Sequence, residues 1–277
     1  MTLPCASTLP SDGRPALQRA RGAASLRVRP QAGRTRIADL YQEGCLKLRF
    51  PRLPSAEAVL VNTAGGMAGG DRLDVDMTVA DGAALTVTTQ AAERVYRALG
   101  GPAQLDVKLM AGAGARLFWL PQETILYDAA ELRRSLTLDA ASDATFLLCE
   151  SVVLGRAAMG ETVASGLLHD RWRIRRGGRL LHAEEARLSG AIGELGRQAA
   201  TLDGARAFAT IVAQLPDASM RLGAVRERLP PRAGGASVFE GLLAVRIVAE
   251  DGYRLRKTLI PVLEVLADAP LPRLWSS

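Results

Sequence analysis

The middle of the chain is periodic, and this periodicity limits the folds open to it more than any other feature. Leu73, Val75, Met77 and Val79 alternate with polar residues, Ala80-Asp81-Gly82-Ala83 turns, and Leu85-Thr86-Val87-Thr88 returns. The cycle recurs as Leu105, Val107 and Leu109, the turn Ala111-Gly112-Ala113-Gly114, and Leu117-Phe118-Trp119-Leu120. It recurs again as Leu136 and Leu138, the turn Ala140-Ala141-Ser142-Asp143, and Phe146-Leu147-Leu148. Strand, small-residue turn and strand at a period of about 30 residues mark units that stack and share one core. The alternating strands predict one buried and one wet face; the more continuous returning strands predict burial on both. The expected fold class is mainly β, a stacked β-helix-like solenoid of sheets with about two α-helices. A plain antiparallel meander or sandwich is the competing reading.

Outside the repeat, the segment Asp170 to Leu188 reads as a hairpin turned by Gly177-Gly178. Leu202, Ala205, Phe208, Ala209, Val212 and Leu215 fall at helical spacing, which predicts a helix stopped by Pro216. Phe239 to Val248 is an apolar run that periodicity leaves open between strand and helix. Leu255 to Leu266 predicts a last helix despite Pro261. Residues 1–25 are rich in Pro, Ala and Arg and lack apolar periodicity, so they are expected to be disordered, with 26–277 forming a single β-rich domain.

The bulk numbers exclude several classes. Apolar content of 48% supports a sizeable core, but aromatics are only 4%, so the core must be built from Leu, Val and Ala. The net charge is +6 and 32 of 35 basic residues are Arg. They are scattered and lack interleaved aromatic stacking residues, which argues against nucleic-acid binding. The densest run, Arg171 to Arg179, alternates with Trp172 and Ile174 and reads as a strand with one wet face. Three widely spaced cysteines (Cys5, Cys45, Cys149) form no C-x-x-C pair, so neither a disulfide framework nor a structural zinc site is expected. No apolar run reaches the length of a membrane span. A soluble protein of a reducing compartment, with no membrane partner, follows from this reading.

The chemistry-bearing positions are acids rather than nucleophiles. Residues Asn62 to Asp71 hold four glycines (Gly65, Gly66, Gly69, Gly70) and end on Asp71, a tight turn or a close approach of backbone beside a carboxylate. No Gly-Lys-Ser/Thr ending or G-x-G-x-x-G spacing is present, and a strand follows where a phosphate loop requires a helix. Glu93 lies in the segment Thr88 to Arg97, Glu150 follows the apolar run Phe146 to Cys149, and Glu184 follows Leu180-Leu181. A carboxylate beside a strongly apolar strand needs a partner or a wet cavity. A surface charge or an ion pair with Arg is the alternative for each acid. The two histidines, His169 and His182, read as structural or solvated, and no catalytic constellation is present. A β-helix carbohydrate-active enzyme with paired carboxylates is the rival function. It is disfavoured by the 12 aromatics in the whole chain, since sugar grooves use exposed aromatic platforms.

Six stretches, in order, resemble the UreD (UreH) urease accessory protein family. They are Asn62 to Asp71; Thr88 to Arg97 with Tyr96 and Arg97; Trp119 to Ile125 with Pro121 and Gln122; Gly155-Arg156 with Met159-Gly160-Glu161-Thr162; Asp170 to Ile174; and Leu271 to Trp275. The chain departs from the common family pattern at Thr63-Ala64 and at Gln90-Ala91-Ala92, which bears on turn shape. The resemblance implies a β-helix fold and a cytoplasmic, non-catalytic role in nickel insertion. The implied partners are UreF, through it the GTPase UreG, and urease apoprotein. It implies no tightly bound cofactor and a transient Ni2+ on an internal path. Asp71, Glu93, Glu150 and Glu184 are the acids expected to line it, because oxygen ligands release Ni2+ where a His/Cys cage would retain it.

Overall fold

The computed structural model describes residues 18–156 and 160–276. The chain opens with β1 (Arg21–Gln31), β2 (Arg34–Gly44) and β3 (Leu46–Arg49). It then winds through β4 (Glu57–Asn62), β5 (Arg72–Val79), β6 (Ala84–Thr89), β7 (Glu93–Val95), β8 (Ala103–Ala111) and β9 (Arg116–Leu120). The coil continues through β10 (Thr124–Leu126), β11 (Glu131–Ala140), β12 (Thr145–Leu154) and β13 (Gly166–Arg176). Strands β5, β8, β11 and β13 pair in parallel to make one wall, and β4, β6, β9 and β12 pair in parallel to make the other. Short β7 and β10 form a corner. Each turn of the coil therefore stacks on the one before, as the period predicts. Side-chain hydrogen bonds repeat the spacing: Asn62 to Glu93, Tyr96 to Gly65, Arg97 to Asp128 and Trp119 to Glu150 each span 31 residues. The parallel pairing rules out the antiparallel meander.

Hairpins finish both walls. β2 pairs with β1 at one end of the seven-stranded wall, and β14 (Arg179–Gly190) pairs with β13 at the other, across the Gly177-Gly178 turn. The second wall runs on antiparallel through β15 (Ala207–Gln214), β17 (Leu242–Ala249) and β16 (Gly234–Phe239). Inward residues such as Leu73, Val75, Val107, Leu136, Leu117 and Trp119 fill the space between the walls. A second core lies outside the second wall, under α2 (Ala218–Arg228), α3 (Gly252–Ala267) and Trp275.

Three sequence expectations need correction. The helix expected over Leu202 to Leu215 is strand β15. Its Ala209 and Ile211 face the outer core while Phe208 and Val212 face the inner one, so burial on both faces removes the alternation that marks a strand. Phe239 to Val248 resolves as the end of β16, a turn at Glu240-Gly241 and strand β17. The described residues hold α2 and the short α1 (Ile192–Arg197), neither of which was expected, as well as α3. α3 matches expectation: Asp251 caps it by accepting from the Arg254 N–H at 2.8 Å, and Leu255, Leu259, Val262, Leu263 and Leu266 make its buried stripe around Pro261. Finally, the ordered domain starts before residue 26. Ala24 is buried in β1, Arg21 pairs with β5, and Gly22 to Ser25 pair with both β2 and β5. Residues 1–17 lie outside the described residues.

Candidate functional site

The glycine turn joins the two walls at the corner. Gly65, Gly66 and Gly70 take φ of 75°, 144° and 87°. A Cβ on Gly66 would stand 2.4 Å from the Tyr96 ring, and one on Gly69 would stand 2.5 Å from the Gly101 carbonyl oxygen, so close approach fixes both as glycine. Asp71 closes the turn. It is 5% exposed, and its carboxylate accepts from the Ala68 N–H at 2.7 Å and from the Ala20 N–H at 2.8 Å. It thus ties the turn to the chain entering β1.

The other family-motif residues stack along the same corner. The Tyr96 hydroxyl donates to the Gly65 carbonyl, and its ring meets Tyr127 edge-on at 5.1 Å. Arg156 lies 4.3 Å over the Tyr127 ring and donates to Glu161. Glu161 also accepts from the Asp128 N–H, and Arg97 pairs with Asp128. Gly155, at φ of 75°, donates to the Leu126 carbonyl, and Gly160 takes φ of 69°. Pro121 is buried, and Gln122 accepts from Arg256 of α3, fastening the second core to the coil. These contacts account for the motif residues structurally; Met159 lies outside the described residues.

Inside the coil, the acids mark a polar row. Next to the glycine turn, Asn62 donates to Glu93 at 3.1 Å. Burial pushes Glu93 up to about 7, with a smaller contribution from the nearby Asp71 charge. Glu93 pairs in register with Thr124, whose hydroxyl accepts from Arg134 at 3.2 Å. Arg134 projects inward from β11 at 2% exposure and holds two carboxylates: Glu150 from the opposite wall and Asp170 from β13 at 2.6 Å. Burial alone would lower the Arg134 pKa, but Asp170 and Glu150 outweigh it and keep the guanidinium charged. Glu150, 4% exposed, also accepts from the Trp119 indole N–H at 2.8 Å. Its own pKa is raised because burial outweighs the Arg134 charge. The cluster therefore carries one more carboxylate than guanidinium. Glu150 pairs in register with Thr210, and Arg246 donates to the Thr210 hydroxyl and bridges to Glu184 at 2.6 Å. Burial acts to raise the Glu184 pKa, but the His182 hydrogen bond and Arg246 outweigh it and hold Glu184 below its usual range.

The four acids expected from the sequence thus divide into three places: Asp71 with Glu93 at the turn, Glu150 in the middle and Glu184 at the far end. Among the described residues no group of three or more His, Cys, Asp or Glu side chains stands ready to hold a metal ion. The residues that link the acids were missed: Arg134, Asp170, Thr124, Thr210 and Arg246. A signal for two of them was present. Arg134 alternates with Leu132, Leu136 and Leu138, and Asp170 with Leu168, Trp172 and Ile174, so period two places both on the apolar face. His169 pairs with Glu185 and His182 with Glu184, both in structural roles. Glu150 and Asp170 share one buried guanidinium, that of Arg134.

Comparison with known proteins gives the family. The profile of the UreD urease accessory protein family matches residues 20–276. The chain is 51% identical to the urease accessory protein UreD of Rhizobium etli, over 94% of this chain and 96% of that one. It is 49% identical to UreD of Rhizobium leguminosarum bv. viciae over the full length of both, and 46% identical to UreD of Agrobacterium fabrum over 94% of this chain and 92% of the relative. The chain therefore belongs to the UreD urease accessory protein family.

Proposed function

We propose that this chain is a non-catalytic nickel-insertion scaffold of the cytoplasm. In this reading it binds UreF, through UreF the GTPase UreG, and docks on urease apoprotein to support assembly of the nickel centre. Ni2+ is cargo, passed along the interior and not kept. The observation that carries the reading is the polar row from Asn62 and Glu93, past Thr124, Arg134 and Glu150, to Glu184, in a member of the UreD family. Carboxylates spaced singly along a row offer oxygen ligands one or two at a time, which suits transfer better than storage. With two carboxylates to one guanidinium, the Arg134 cluster offers carboxylate oxygens to a divalent cation beside it.

The test is co-expression of urease subunits with UreF and UreG, with and without this chain. Co-purification of the assembly, together with nickel-loaded, active urease only when the chain is present, supports the proposal. Full nickel loading without the chain refutes it.

A further inference from the structure

The coil ends unevenly beside β2. The seven-stranded wall carries β2 as its last strand, whereas the other wall stops at the four-residue β3. The inner face of β2 therefore extends past its opposite wall. Ile37 and Leu40, which pair across from the buried Val28 and Leu26, stay 45% and 42% exposed. Between this face and the loop of residues 50–56 opens a cavity of about 920 Å³. Its floor reaches core residues Val28 and Leu85, each 2% exposed, and its walls include Ile37, Phe50 and Leu53. Arg34, Arg36 and Arg52 stand exposed around the mouth, and among the described residues none of them forms an ion pair. Glu57 is the one acid in the lining. β2, which supplies Arg34 to Ile37 to the lining, is the last strand of its wall and leaves its outer edge unpaired.

We propose that this cleft receives an extended acidic segment of another protein, with apolar side chains at alternate positions. Three unpaired arginines against one carboxylate set the charge of the occupant. The free edge of β2 supplies backbone hydrogen bonds to an added strand, and the apolar floor accepts every second side chain. Ends of stacked coils need a cap to cover their last apolar layer, and the docked segment supplies it. None of the residues of the interior polar row lines the cleft.

The test uses the full chain and two fluorescent blocked peptides of eight residues, one alternating Glu with Leu and Val, the other with Lys in place of Glu. Anisotropy at low salt is expected to show saturable binding of the acidic peptide only. Joint reversal of Arg34, Arg36 and Arg52 to Glu is expected to weaken it by roughly tenfold or more, as is I37D, with melting temperatures held near that of the parent. Equal binding of both peptides, or binding insensitive to the arginine reversal, overturns the proposal. No acidic-peptide binding overturns it as well. Light scattering runs in parallel: a dimer of the chain that I37D dissolves assigns the cleft to a second copy and also overturns the proposal.

Discussion

Replacing Glu150 separates two roles that a buried acid can play. The carboxylate is 4% exposed, accepts from Trp119 at 2.8 Å and pairs with Arg134, itself 2% exposed. Glu150→Ala leaves the indole N–H without an acceptor and strips Arg134 of one of its two anions. Breaking a buried pair from one side costs about 3–5 kcal/mol. At about 2–4 °C per kcal/mol for a chain of this size, the melting temperature should fall by roughly 6–20 °C. Glu150→Gln keeps the volume and a carbonyl oxygen for Trp119, and Asp170 still neutralises Arg134. Its cost should be nearer 1–3 kcal/mol. The assay is thermal unfolding of the purified chain followed by circular dichroism. An Ala variant that melts within 2 °C of the parent would refute the reasoning, since a buried guanidinium cannot lose its partner without consequence.

Other perturbations test neighbouring parts of the account. Glu93 has its folded pKa raised to about 7, so between about pH 4.5 and 7 it holds its proton in the fold while the unfolded chain ionises. Stability from this site is then greatest below about 4.5 and declines as pH rises to about 7; Glu93→Gln should stabilise at pH 8 by up to about 3 kcal/mol, a gain that closes at pH 4 in paired melts. Gly66→Ala should destabilise far more than Gly65→Ala in denaturant titrations, because a Cβ added at Gly66 would stand 2.4 Å from the Tyr96 ring whereas one at Gly65 meets open space and carries only the left-handed penalty of about 1–2 kcal/mol. Deleting residues 1–25 should lower the melting temperature by several degrees, since it removes the start of β1 and the Ala20 N–H that Asp71 accepts. An unchanged melt would mean that this strand adds nothing to the wall.

The repeat was legible because hydrophobic alternation and small-residue turns are local signals. Leu73 to Val79, Leu105 to Leu109 and Leu136 to Leu138 each announce their strand and their inward face without reference to the rest of the chain. Strand β15 was not legible, because a strand sandwiched between two cores has no wet face to break its apolar run. Helix α2 was equally hidden: its exposed, Arg-rich surface lacks a strong stripe, and only Ala218 and Val225 are buried. At the site, Glu150 stood out as an acid beside an apolar strand, but its partner Arg134 comes from the opposite wall, 16 residues away. Which inward polar residues meet depends on how the walls stack, and that information lies in the register rather than in any one segment. The cleft beside β2 is likewise a product of unequal walls, which no local pattern reports.

The central claim is that nickel travels along the interior row. Its most direct measurement is the nickel content of urease matured with Glu93→Gln, Glu150→Gln and Glu184→Gln chains, each checked for assembly with its partners in the same preparation. These substitutions keep the size of each side chain while removing its charge. The account predicts assemblies that form normally and urease that carries less nickel per active site, with the deficit in at least the Glu150→Gln preparation. Full nickel loading in all three, with assembly intact, would contradict it.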